Sequence, residues 1–98
     1  MRANPISAAD LRTEISGREA PIVIDARRQA AFRSSTEMLS GALRRDPDQV
    51  GAWSRALPAA SSVVVYCVHG HEVSQKTAAA LAAAGIDARY LEGGLEEG

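Results

Sequence analysis

The chain has a single cysteine, Cys67, and only four aromatic residues among its 98. One thiol excludes an internal disulfide framework, the usual staple of small secreted domains, and suits a reducing compartment. No apolar run approaches the roughly 20 residues that a membrane-spanning helix needs. Neither sign of charge dominates: 11 basic and 12 acidic residues leave a net charge of −1. That balance leaves no electrostatic footprint for nucleic acid or for an anionic membrane surface. Lysine is nearly missing as well, since ten of the eleven cations are arginine. The opening Met1-Arg2-Ala3-Asn4-Pro5 leads into an amphipathic segment and not into the apolar core of a signal peptide. A cytoplasmic protein is therefore expected. No repeat, linker or low-complexity tract interrupts the chain beyond the alanines that follow Cys67.

What is present is ordinary globular material, 46% hydrophobic and 23% charged, enough for one small domain and no second core. Ile6 ends a short extended piece. Ser7-Ala8-Ala9-Asp10 then reads as a helix start of capping-box type, Leu11 and Ile15 form an i, i+4 apolar pair, and Gly17 is the stop. Pro21-Ile22-Val23-Ile24-Asp25 is a continuous apolar run, as expected of a strand covered on both faces. Gln29 to Phe32 reads as a helical turn, and Gly41-Ala42-Leu43 as a turn into a short extended piece. Asp46 and Pro47 start a helix as cap and first residue, with Val50, Trp53 and Leu57 on its apolar face and Pro58 at its end. Ser62 to Tyr66 is the most buried-looking strand, Ser74 to Ala84 a helix capped by Gly85, and Ile86 to Leu91 a last strand. Strands alternating with helices predict an α/β fold: a mainly parallel central sheet with helices on both faces. In such sheets the functional crevice lies at the carboxyl ends of the strands. Asp25 and Cys67 both stand at such ends.

The stretch Val63-Val64-Val65-Tyr66-Cys67-Val68-His69-Gly70-His71-Glu72-Val73-Ser74 carries the chemistry. A buried strand delivers the cysteine to a short loop, and a helix follows at once. Loop and first-turn N–H groups, with the positive end of the helix dipole, favour an anion there. Such surroundings lower a cysteine pKa from about 8.5 to roughly 3.5–7.5, and the thiolate is the nucleophile. Gly70 supplies a positive φ or a close backbone approach. Cys67, His69 and His71 at i, i+2, i+4 lack the spacing and the fourth ligand of a zinc site, so no metal is expected. The two histidines either border the pocket and add positive character or are simply an exposed pair. No cofactor is expected.

These residues resemble the rhodanese-like domain family in its single-domain form, over most of the chain. Ile22-Val23-Ile24-Asp25-Ala26-Arg27 followed by Phe32 and Gly41-Ala42 looks like the family's front motif. Val64-Val65-Tyr66-Cys67-Val68-His69-Gly70 looks like its active-site strand and loop. Gly85-Ile86 and Tyr90-Leu91-Glu92-Gly93-Gly94-Leu95 look like its closing segment. The resemblance implies a rhodanese-like fold with Cys67 as the catalytic nucleophile. That residue would accept sulfane sulfur as a persulfide from thiosulfate or a similar small anion. It would pass the sulfur to cyanide, to a thiol or to an accepting protein. Val68, His69, Gly70, His71, Glu72, Val73 and Ser74 would form the active-site loop. Asp25 and Arg27 would support it from the neighbouring strand end, unless Arg27 pairs with a surface acid.

The chain departs from the family pattern in three places. The family commonly reads Cys-x-x-Gly-x-x-Ser; here Val73 holds the seventh place and Ser74 follows, which suggests a loop of seven residues. Relatives with such loops include cell-cycle phosphatases and arsenate reductases, whose loops end in arginine. Glu72-Val73 stands there instead, and a carboxylate in an oxyanion cradle costs of the order of several kcal/mol. Sulfur transfer is accordingly preferred to phosphatase or arsenate reductase chemistry, and to a non-catalytic sensor or interaction module. Glu72 itself is read first as an acid favoured at a helix N-terminus. The Gly-His-Ile-Pro-Gly-Ala of many relatives is reduced to Met38-Leu39-Ser40-Gly41-Ala42. Finally, Gly98 stands where the family usually has tryptophan before a last helix, so residues 1–98 are read as one domain without that helix.

Overall fold

A computed structural model of the protein describes residues 4–34, 38–39, 41–58, 61–67 and 72–94. The strands are β1 (Asn4–Ile6), β2 (Ile22–Asp25), β3 (Leu43–Arg44), β4 (Ser62–Tyr66) and β5 (Asp87–Leu91). The helices are α1 (Ala8–Ile15), α2 (Gln29–Ser34), α3 (Val50–Trp53) and α4 (Glu72–Ala83), with 3-10 turns at Pro47–Gln49 and Ser54–Ala56 on either side of α3. The five strands form one sheet in the order β1-β5-β4-β2-β3, and every pairing is parallel. Parallel order brings all the carboxyl ends to one edge, where Asp25 lies in register with Tyr66 on one side and with Arg44 on the other.

β4 shows why this sequence makes a two-sided core. Its side chains alternate between faces. Val63 and Val65 pack with Ile24, Ala78 and Leu81 under α4, and Val64 and Tyr66 pack with Ile6, Leu11, Val23 and Leu91 under α1. All four are fully buried, so the run carries no polar face. α4 answers with Ser74, Thr77, Ala78 and Leu81 buried, the i, i+3, i+4, i+7 stripe of a helix lying on a sheet. It closes in a Schellman motif: Ile86 N–H donates to Leu81 C=O at 3.0 Å and Gly85 N–H to Ala82 C=O at 3.0 Å. Gly85 takes the positive φ of 90° which that ending requires.

α1 begins as its sequence predicts, with Ser7 Oγ accepting from Asp10 N–H at 3.1 Å. Its remote end is tied to β5 by the paired bonds of Arg89 to Glu14, at 2.7 and 2.6 Å. The Asp46–Pro47 start is also present, with Asp46 Oδ1 accepting from Asp48 N–H at 2.9 Å. The expected single helix from Pro47 to Leu57 is instead a 3-10, α, 3-10 succession. Gly51 lacks a side chain to stiffen it, and Trp53 spends its indole N–H on Asp46 C=O at 2.7 Å, which tightens the segment. Among the described residues no helix is long and apolar enough to cross a membrane.

Candidate active site

The alternation along β4 sets the direction of the cysteine. Cys67 is the first residue beyond the strand and continues the parity of Val63 and Val65, so its side chain turns toward α4. There the Cys67 thiol donates to Ser74 Oγ at 3.1 Å. Both side chains are covered, Cys67 at 6% exposure and Ser74 at 0%. Ser74 lies in the first turn of α4, whose leading N–H groups have no carbonyl four residues back to bond. The sulfur thus sits at the start of a helix, where the dipole favours an anion. A hydroxyl can accept or donate, so Ser74 accepts from a thiol and can turn its O–H toward a thiolate.

α4 begins at Glu72, two residues earlier than the sequence reading placed it. Glu72, Val73 and Ser74 therefore form its first turn. The cause is local. Glu72 accepts from Lys76 Nζ at 2.6 Å one turn on, and Val73 C=O accepts from Thr77 Oγ1 at 2.8 Å, so side chains as well as backbone favour helix from Glu72 onward. The Glu72 carboxyl is held below its usual range, first by that hydrogen bond and then by the Lys76 charge, with a smaller contribution from Arg28. Its side chain is 73% exposed and points to solvent, the arrangement expected of a helix-start acid. Val68, His69, Gly70 and His71 lie outside the described residues.

On the opposite face, one peptide away, a buried polar cluster fixes the strand ends. Asp25 is fully buried and Arg27 is 3% exposed. Arg27 folds back on Asp25, its Nε donating to Oδ1 at 3.0 Å and its Nη2 to Oδ2 at 2.6 Å. The Arg27 backbone N–H adds a bond to Oδ1 at 3.0 Å. A buried charge is tolerated only when paired and hydrogen-bonded. Here both conditions are met within three residues of chain. Arg27 is thus paired with the buried Asp25, and those bonds shift its guanidinium pKa upward. Phe32 of α2 lies under the Arg27 guanidinium, 5.3 Å from ring centroid to charge centre.

Tyr66, which the sequence reading counted only as strand, completes this cluster. Its hydroxyl donates to Asp25 Oδ2 at 2.8 Å and accepts from Leu39 N–H at 3.2 Å. Its C=O accepts from Ala26 N–H at 2.9 Å. Burial, with the Asp25 carboxylate beside it and against the Leu39 bond, pushes the phenol up to about 12. The residue before Cys67 is thereby held by both backbone and side chain. The signal was available: a tyrosine deep in an apolar strand needs a partner for its hydroxyl, and the adjacent strand ends in an aspartate.

A parallel sheet with helices on both faces, and with a cysteine and an acid on adjacent strand ends above a helix start, defines an α/β domain whose site lies at the carboxyl edge. The family model for the rhodanese-like domain matches residues 7–98, and the chain belongs to that family. Solved structures agree. A rhodanese homolog from Thermus thermophilus is 26% identical, with a TM-score of 0.76 over 95% of this chain and 98% of that one. A rhodanese-related protein from Thermoplasma volcanium is 24% identical, with a TM-score of 0.80 over 95% and 87%. A rhodanese-like domain protein from Staphylococcus aureus is 20% identical, with a TM-score of 0.83 over 96% and 89%. No curated protein sequence matches the chain.

Proposed function

We propose that the protein is a sulfurtransferase in which Cys67 carries sulfane sulfur as a persulfide. The observation that supports this best is the placement of the thiol, covered, at the end of β4 and 3.1 Å from Ser74 Oγ in the first turn of α4. The Cys67 thiolate attacks the outer sulfur of thiosulfate. The S–S bond of the donor breaks, and sulfite leaves with its electron pair. The sulfur now on Cys67 is anionic, and the N–H groups opening α4 face negative charge as an oxyanion hole does. Ser74 O–H is a further donor. An acceptor such as cyanide or a thiolate then takes the outer sulfur and returns Cys67 to thiolate. Asp25, Arg27 and Tyr66 are positioning residues in this scheme: they hold the peptide before the nucleophile. A reducing cytoplasm is the compartment that suits a working thiol.

Incubation with thiosulfate followed by intact-mass measurement tests the scheme. A gain of one sulfur atom, lost in Cys67→Ser and discharged by cyanide as thiocyanate, is expected. No adduct and no thiocyanate would make the domain a sensor or interaction module. Hydrolysis of a small aryl phosphate without sulfur loading would assign it to the oxyanion-handling branch.

A further inference from the structure

Parallel pairing of β2 with β3 sets two Arg-Arg pairs side by side at the edge where Cys67 emerges. Arg27-Arg28 follows β2, and Arg44-Arg45 ends β3 and follows it, with Asp25 in register with Arg44 and Arg45 N–H donating to Asp25 C=O at 2.9 Å. Phe32 of α2 lies 5.3 and 5.5 Å from the charge centres of Arg27 and Arg44, and exposed Arg33 follows it in the same helix. Arg27 is neutralised by Asp25 and Arg28 meets Asp48 at 2.6 Å. Arg33, Arg44 and Arg45 have no acidic partner among the described residues, and Arg44 Nε is buried without a hydrogen bond. Leu43, between these charges on the edge strand, is 45% exposed.

We propose that this arginine-rich edge, Arg28, Arg33, Arg44 and Arg45 around the exposed Leu43, docks an acidic protein segment bearing an apolar side chain, on the thiol protein that takes sulfur from Cys67. The proposal rests on the sulfur-transfer reading and adds the chemistry of the partner. Strands are spaced about 4.8 Å apart, so the Arg44 backbone lies roughly 10 Å across the sheet from that of Tyr66, the residue before the cysteine. Arg28 follows Arg27 directly beyond β2, the strand between β3 and β4. Guanidinium groups bind carboxylates in paired hydrogen bonds. A small donor anion would use neither Leu43 nor charges spread over α2 and β3. Single-stranded nucleic acid would use aromatic platforms as well, and Phe32 and Tyr66 are spent inside the fold. At the docked site the acceptor thiolate attacks the outer sulfur of the Cys67 persulfide. The S–S bond breaks, Cys67 leaves as thiolate with the electron pair, and the acceptor becomes the persulfide with no net oxidation.

The test is binding of a dye-labelled peptide of alternating glutamate and leucine to the full-length Cys67→Ser protein, which needs no sulfur chemistry. Failure of the docking idea is thereby separate from failure of the transfer reading. The acidic peptide should bind about tenfold or more tightly than its lysine counterpart, and salt should weaken it. Arg33→Glu with Arg45→Glu should weaken it about tenfold, and Leu43→Ser about fivefold. Should the reversal pair fail to fold, Arg33→Gln with Arg45→Gln should weaken it in the same direction. Equal binding of acidic and basic peptides overturns the proposal, and so does indifference to charge reversal. So too does tighter binding of an oligothymidylate, or displacement by thiosulfate beyond that by chloride of equal ionic strength.

Discussion

Tyr66→Phe removes one oxygen from a fully buried position and leaves the ring to fill the same space. That oxygen donates to Asp25 Oδ2 at 2.8 Å and accepts from Leu39 N–H at 3.2 Å. A hydrogen bond to a charged group contributes about 1.5–3 kcal/mol, and the stranded Leu39 N–H adds to the loss. A destabilisation of about 2–3 kcal/mol is expected, a large part of the roughly 5–15 kcal/mol that holds a domain folded. At this chain length it lowers Tm by roughly 10–20 °C. Urea titration followed by circular dichroism measures it, with a lower midpoint and an unchanged slope. The phenol adds a pH signature. Its pKa rises from the ordinary 10.0 to about 12 on folding, so the folded protein keeps a proton that the unfolded chain loses. That part of the stability is complete below pH 10 and disappears as pH rises through about 12. Tyr66→Phe should flatten this alkaline decline. A variant within about 0.5 kcal/mol of the parent, with the same alkaline limb, would show that Arg27 alone satisfies Asp25 and that Tyr66 only fills volume.

Ser74→Ala should slow alkylation of Cys67 by iodoacetamide by about tenfold, the loss of one hydrogen bond to a developing anion, while urea midpoints change little. Leu81→Ala, in the last turn of α4 and fully buried, should cost about 2–5 kcal/mol in the same titration. Glu14 is held below its ordinary 4.5, first by the Arg89 hydrogen bond and then, against a little burial, by the Arg89 charge. Its contribution is present above that value and is lost as pH falls through the depressed one. Glu14→Gln should therefore weaken the acid dependence of Tm.

The parallel sheet, its two-sided cover and the placement of Asp25 and Cys67 at strand ends were legible because continuous β-branched runs alternate with amphipathic segments. β4 and β2 advertise burial on both faces by having no polar side. The start of α4 was misplaced because Gly70 and the histidines read as loop, while the bonds from Lys76 and Thr77 that extend the helix to Glu72 act one turn downstream. The 47–57 segment carries good cap and stop residues, yet the indole bond to Asp46 C=O is a tertiary fact that no periodicity shows. Arg27 was open to two readings because its partner lies two residues back, folded onto it by the strand end. The ring of Tyr66 fits a strand and its buried hydroxyl demands a partner, but that the partner is Asp25 shows only once β2 is placed alongside.

Neighbours in sequence, Tyr66 and Cys67 answer to different halves of the molecule, one packed beneath α1 and the other beneath α4. A change confined to the first half reaches the Cys67 sulfur through a single amide plane. A mutation that loosens the first side therefore shifts the thiol only by moving that plane, whereas one beneath α4 meets it directly.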